Sequence, residues 1–259
     1  MLVERRIRSY QAPLHQYLCG GGKRAIEIAH RRWGKDEIAL AWTFQAITDR
    51  PATYWHCLPQ LNQARKAIWT AVNPHTGKRR IDEAFPVELR EVTNEHEMFI
   101  RFKNQSTWQV IGSDTYDSLV GAGVAGIVFS EWALANPSAW GYLSPMMREN
   151  NGWALFITTP RGKNHAYDMF NHAMKSDDWY AEISNAQATG AFSDEQLDGI
   201  RDEYVALYGQ DFGASQFEQE YLCSFEAAIL GSYYGGELAS ARSEGRICAV
   251  KHDPDLPVQ

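Results

Sequence analysis

Along the first two-thirds of the chain, short apolar runs alternate with longer segments in which apolar and polar positions mix. AIEIA (25–29), TYWHCL (53–58), GIVF (126–129) and ALFIT (154–158) are short and nearly continuous in apolar character, as strands covered on both faces must be. MFIRF (98–102) and STWQVIG (106–112), joined by KNQ, alternate apolar with polar letters like the arms of a hairpin. The pattern predicts an α/β fold, a mostly parallel sheet flanked by helices with one antiparallel insertion. Past about residue 165 helical signals replace strand signals. Ser193 and Gln196 make a capping box ahead of a helix whose Leu197, Ile200, Tyr204 and Leu207 recur at helical spacing, a stripe expected to pack into a core. The expected divisions are a core over 1–165, a small, mainly helical lid subdomain over 166–225 and a linker over 226–259.

A chain of 259 residues with 44% hydrophobic content can bury a substantial core. No apolar run approaches the length of a membrane span, and the N-terminal MLVERRIRSY is too charged for a signal peptide. A cytosolic chain with no membrane partner is therefore expected. Cys19, Cys57, Cys223 and Cys248 never form C-x-x-C and are expected to be reduced, mostly buried thiols. The net charge of −7 speaks against a protein that coats nucleic acid over its whole surface. Residues 1–35 nevertheless hold eight Lys and Arg against Glu4 and Glu27, and this basic head expects an anion.

The stretch AIEIAHRRWGKDEIAL (25–40) supplies a strand, a tight turn, a lysine and a helix in the order of a phosphate-cradling P-loop. Against G-x-x-x-x-G-K-[ST], Ala29 replaces the first Gly and Asp36 the hydroxyl residue. Read alone, the segment is equally a basic surface loop before a helix capped by Asp36. A second apolar strand, GIVFSEWA, sets Glu131 at its C-terminal end, where ligands of open α/β sheets gather. Ser130 stands where a metal-side Asp is expected. Asp36 and Ser130 together keep one carboxylate and one hydroxyl, both hard oxygen ligands suited to Mg2+, so an exchange of metal-holding roles between them is expected.

With PLHQYL, AHRRWGKD, GSDTYDSLVGAGVAGIVFSEWA, FITTPRG and FEQEYLCSF in this order, the chain resembles the ATPase half of the large subunit of viral DNA-packaging terminases, from about residue 10 to 259. The resemblance implies a P-loop NTPase core of the RecA-like (ASCE) class with ATP and Mg2+ as ligands. It implies that Gln16 reads adenine, since an amide can pair with both N6 and N7. His30, Arg31, Arg32, Trp33, Gly34, Lys35, Asp36 and Glu37 would surround the nucleotide. Arg31 would stabilise charge on the γ-phosphate in cis alongside Lys35, Glu131 would polarise the hydrolytic water, and Thr158 and Thr159 would couple phosphate loss to motion. Val120 stands in SLVG where family members often carry an arginine that acts across subunits, which leaves Arg101, Arg148 and Arg161 as substitutes. The family's nuclease follows a segment like DPDLP, where this sequence stops, so no nuclease activity is expected and the chain reads as a fragment or isolated domain.

The expected function is an ATP-hydrolysing motor that translocates double-stranded DNA into a procapsid, in the cytoplasm of the infected bacterial host. The implied partners are double-stranded DNA, the portal protein and procapsid, the small terminase subunit, and further copies forming a ring on the portal from monomers. Lys78, Arg79 and Arg80 in HTGKRR are candidate DNA contacts, phosphate-directed cations that grip without reading sequence; the same loop also reads as a solvated face. Three readings compete. A helicase-like DNA-dependent ATPase needs a second domain for which 259 residues leave no room. A nucleotide-binding module with weak or no turnover alone would explain Ala29, Asp36 and Ser130 as marks of a decayed site. A scaffold docking on the portal would carry a vestigial one.

Overall fold

The computed structural model describes residues 7–119, 123–226, 240–241 and 244–247. Every apolar run named above contributes a strand. β1 (Arg24–Ala29), β2 (Thr53–Leu58), β3 (Arg90–Asn94), β4 (Phe99–Phe102), β5 (Thr107–Gly112), β6 (Val124–Ser130), β7 (Trp153–Thr158) and β8 (Trp179–Ser184) form one sheet in the order β3-β4-β5-β2-β6-β7-β1-β8. From β5 to β8 along this order all neighbours pair in parallel, while β3, β4 and β5 form the antiparallel insertion. Because β7 alone separates β1 from β6, the ends of those two strands lie about 10 Å apart across the sheet.

The helices are α1 (Ala12–Cys19), α2 (Lys35–Asp49), α3 (Leu61–Ala64), α4 (Arg80–Ala84), α5 (Ser138–Glu149), α6 (His165–Ala173), α7 (Ala186–Thr189), α8 (Asp194–Tyr208) and α9 (Gln210–Tyr221). Strand alternation sends Ile26 and Ile28 to one face, where they join Phe129, Phe156, Leu143 of α5 and Phe170 of α6. Ala25 and Ala29 look to the other face, with Leu14 and Leu18 of α1 and Ile38 and Ile47 of α2. Each such fully buried large side chain stabilises the fold by about 1.5–3 kcal/mol, so both helical layers are fixed to the strand that carries the phosphate loop. No helix among the described residues is long and apolar enough to cross a membrane. Cys57 and Cys223 are buried, whereas Cys19 is exposed; Cys248 lies outside the described residues.

Two expectations change, and a third falls mostly outside the described residues. β8 pairs with β1 over its whole length, from Arg24 opposite Trp179 to Ala29 opposite Ser184, so the sheet core reaches Ser184 and not residue 165. Its letters, WYAEIS, set Glu182 and Ser184 on one face of an edge strand and give no continuous apolar run; the polar edge strand β3 is hidden in the sequence for the same reason. The capping box of Ser193 and Gln196 opens α8, yet only part of the stripe is covered. Leu197 packs with Ala186 and Phe217, Ile200 and Tyr204 are half-buried against them, and Leu207 is 73% exposed. The expected linker over 226–259 lies mostly outside the described residues.

Glu27 is fully buried on β1, in register with Glu182 of β8. Burial pushes its pKa well above the ordinary carboxylate range; Ser184 opposes the rise and Glu182 adds to it. The folded chain therefore keeps a proton that the unfolded chain releases, and stability declines as pH rises from the unfolded towards the folded pKa. Glu27→Gln is expected to leave the melting temperature unchanged in acid and to raise it in mild alkali, as thermal unfolding across a pH series would measure.

Candidate nucleotide site

β1 delivers the chain to the C-terminal edge of the sheet, where the Lys35 ammonium is held by the carbonyl oxygens of Ala29 (3.1 Å) and His30 (3.2 Å) and the Thr159 hydroxyl (3.0 Å). All three are neutral acceptors, so the positive charge is aimed without being spent. Burial lowers the lysine's pKa, against the raising fields of Glu131 and Asp36. Ala29 is still in the β ladder opposite Ser184. The left-handed residues come later, at Arg32 (φ 68°) and Gly34 (φ 92°). Alanine at the loop's first position is thus free of strain, whereas a Cβ at Gly34 would sit 2.5 Å from Arg8 Nη1 and 2.9 Å from Gln11 Nε2. Gly34 leads into α2, whose first N–H groups have no intrahelical acceptor and favour an anion.

Asp36, in the first turn of α2, reaches across to β6 and β2. Its Oδ1 accepts from the Ser130 hydroxyl at 2.7 Å and lies 3.2 Å from His56 Nε2. Burial alone would raise the Asp36 pKa, but His56, Ser130 and Lys35 outweigh it and hold the carboxylate below its usual range. Two hard oxygens on neighbouring elements fit Mg2+, which keeps water and phosphate oxygens for most of its shell. Among the described residues no group of three or more His, Cys, Asp and Glu is placed to hold a metal outright. His56 escaped the sequence reading; its one signal is a lone polar ring inside the buried strand TYWHCL.

Glu131 follows β6 in left-handed conformation (φ 53°, ψ 45°), a strain of roughly 1 kcal/mol or more for a residue with a Cβ. Burial raises its pKa; Lys35 pulls it down and Asp36 pushes it further up. At the end of β7 the Thr158 hydroxyl accepts from the Ala133 amide just past Glu131, and the Thr159 hydroxyl donates to the Ala29 carbonyl. The two threonines thereby tie the glutamate loop and the lysine loop to one strand. Arg31 Nε donates to Glu220 Oε2 at 2.5 Å, and Arg161 Nη1 pairs with the other carboxyl oxygen of Glu220. Burial works to lower the Arg31 pKa, but the Glu220 carboxylate raises it overall. Glu220, buried on α9, is a second residue the sequence left unmarked. A cavity of about 450 Å³ opens beside this trio, walled by Tyr204 and Tyr208 of α8.

Other assignments shift. Gln16 is exposed on α1. Gln11, five residues earlier and 4% exposed, donates to the carbonyls of Trp33 (3.0 Å) and Gly34 (3.3 Å) and accepts from the Arg8 amide. The helical spacing of α1 brings its N-terminal end, not its middle, to the loop. His30 is buried with both ring nitrogens engaged, by the Arg31 carbonyl and the Thr189 hydroxyl. Trp33 is buried beside Tyr10, Arg32 is exposed, and Glu37 turns outward to pair with Arg8 at 3.4 Å. In the basic loop Arg79 is neutralised by Asp82 and Glu95, because its side chain folds back over α4; Lys78 stays exposed and Arg80 half-exposed. Arg101 lies against Phe99 on the hairpin and Arg148 at the far end of the sheet, while Val120 falls outside the described residues.

No protein-family model matches the chain. The large terminase subunits of Thermus phage G20c and Thermus virus P23-45 are each 27% identical to it over 163 residues, covering 57% of this chain and 33% of theirs. The chain therefore matches about a third of the length of these curated relatives. Among solved structures, the large terminase ATPase domain of Thermus phage P74-26 superposes with a TM-score of 0.66 at 20% identity, over 86% of this chain and 95% of that one. The large terminase of another thermophilic bacteriophage, in complex with ADP, gives 0.62 at 14% identity, over 85% of this chain and 54% of that one. The chain is thus similar in sequence to phage terminase large subunits over part of its length, and it shares the fold of solved large terminase ATPase domains.

Proposed function

We propose that the chain is the ATP-hydrolysing motor domain of a terminase large subunit, which drives double-stranded DNA into a procapsid. The observation that carries this reading is the convergence of Lys35, the Asp36–Ser130 oxygen pair and Glu131 at the C-terminal ends of β1 and β6. The fold it shares with large terminases, one of them in complex with ADP, supports the same reading.

In this reading Lys35 and the N-terminus of α2 receive the terminal phosphates, and Arg31, which Glu220 holds in this structure, would exchange that partner for the γ-phosphate. Asp36 and Ser130 would hold Mg2+, which supplies neutralisation of the phosphate oxygens. His56 orients Asp36 for that task. Glu131 positions the attacking water, and its raised pKa means that activity falls on the acid side at higher pH than an ordinary carboxylate would give. Gln11, in place of Gln16, is the glutamine at the loop, and reading adenine would have it exchange the Trp33 and Gly34 carbonyls for the base. Thr158 and Thr159 pass phosphate loss to the lid, which we assign to residues 185–225. Lys78 and Arg80 contact the DNA backbone. The partners are the portal protein, the procapsid, the small terminase subunit and further copies forming a ring from monomers, in the host cytoplasm during infection.

Steady-state ATP hydrolysis tests the core of this reading. Lys35→Ala and Glu131→Ala should each lower kcat about a hundredfold or more; turnover equal to wild type in both overturns it. Gln11→Ala should erode the preference for ATP over GTP while Gln16→Ala leaves it intact, as competition between the two nucleotides would reveal. His56→Ala should raise the Mg2+ concentration for half-maximal activity about tenfold, with kcat recovered at saturating Mg2+. A change in kcat alone would show that His56 does not act through the metal ligand.

A further inference from the structure

A cavity of about 830 Å³ lies at the end of the sheet opposite the nucleotide site, beside the loop Gly20–Gly22. Arg24 and Arg148 bring two guanidinium groups to its wall, with Lys23 next to them. Arg24 is held firmly: its Nη1 donates to the carbonyls of Lys23 and Gly152, both at 2.8 Å, and the guanidinium carbon lies 5.4 Å from the centre of the Trp140 ring. Those contacts fix the fork but leave its charge unmatched. Burial and the nearby Arg148 both disfavour the charged form of Arg24. Among the described residues neither arginine has a carboxylate within ion-pair distance, although Asp177 and Asp178 also line the cavity. Asp178 is engaged there through its backbone carbonyl, which accepts from the Tyr17 hydroxyl at 3.0 Å.

Two neighbouring guanidinium groups without a counter-charge repel each other, and an oxyanion with several acceptor oxygens relieves both at once. We propose that this cleft is a second phosphate-binding site, which takes one phosphate group through Arg24, Arg148 and Lys23, whether borne by a DNA backbone or free as a small phosphate. Arg24 is the preorganised anchor on its tryptophan, and Arg148 on α5 adds a second guanidinium to the same wall. The two aspartates leave the wall only weakly positive, so a single phosphate fits better than a row of them. The cavity lies within the range of small-ligand pockets.

Calorimetric titration with inorganic phosphate and, separately, with a short DNA duplex tests the site and distinguishes its source. Arg148→Glu and Lys23→Glu alter exposed side chains and should each weaken binding of at least one of the two ligands about tenfold or more. ADP binding at the P-loop and the melting temperature should stay unchanged. Loss with phosphate assigns a small ligand, and loss with the duplex alone assigns the DNA backbone. If both ligands bind both variants as they bind wild type, or if only Lys35→Ala removes phosphate binding, the proposal is overturned.

Discussion

The ammonium of Lys35, suspended from two backbone carbonyls and one hydroxyl, is the contact on which the rest of the site depends. A partly buried cation satisfied only by neutral oxygens keeps its field for an incoming anion, and a carboxylate in their place would have cancelled it. The acceptors come from the last residue of β1, from the residue after it and from the residue following β7, so the lysine is aimed only when those two strands lie side by side in register. The sheet order thereby becomes part of the electrostatics. With β7 between β1 and β6, the threonines at the end of β7 touch both the lysine loop and the glutamate loop.

Two letters that depart from the usual phosphate loop find physical accounts. Ala29 belongs to the strand, where extended backbone accepts any side chain, and the left-handed turn is taken three residues later by Arg32 and then by Gly34. Asp36 and Ser130 lie within hydrogen-bonding distance, so a carboxylate and a hydroxyl occupy one spot whichever element supplies which. His56 beneath them supplies a further donor to Asp36.

Much of this was legible in the sequence because continuous apolar runs mark buried strands wherever they occur. The core strands β1, β2, β6 and β7 could be read that way, the hairpin arms from their alternation, and Lys35 and Glu131 from their places after two of those runs. What stayed hidden was of a different kind. β8 and β3 are edge strands with polar letters on one face. His56 and Glu220 matter only for what they touch, at separations of 20 and 189 residues. Gln11 and Gln16 are both glutamines ahead of the loop; which one meets it depends on where α1 begins, and no single letter records that.

The loop is also completed from a distance. The His30 amide donates to the Ser184 carbonyl and the Arg31 amide to the Glu220 carbonyl, so its shape is borrowed from β8 and α9. Contacts between residues so far apart along the chain carry a heavy loop-closure cost before any contact rewards it. The phosphate loop, though local in sequence, is then complete only once β8 and α9 are in place. A nascent chain that had made only the first six strands would hold every letter of the loop without yet being able to cradle a phosphate.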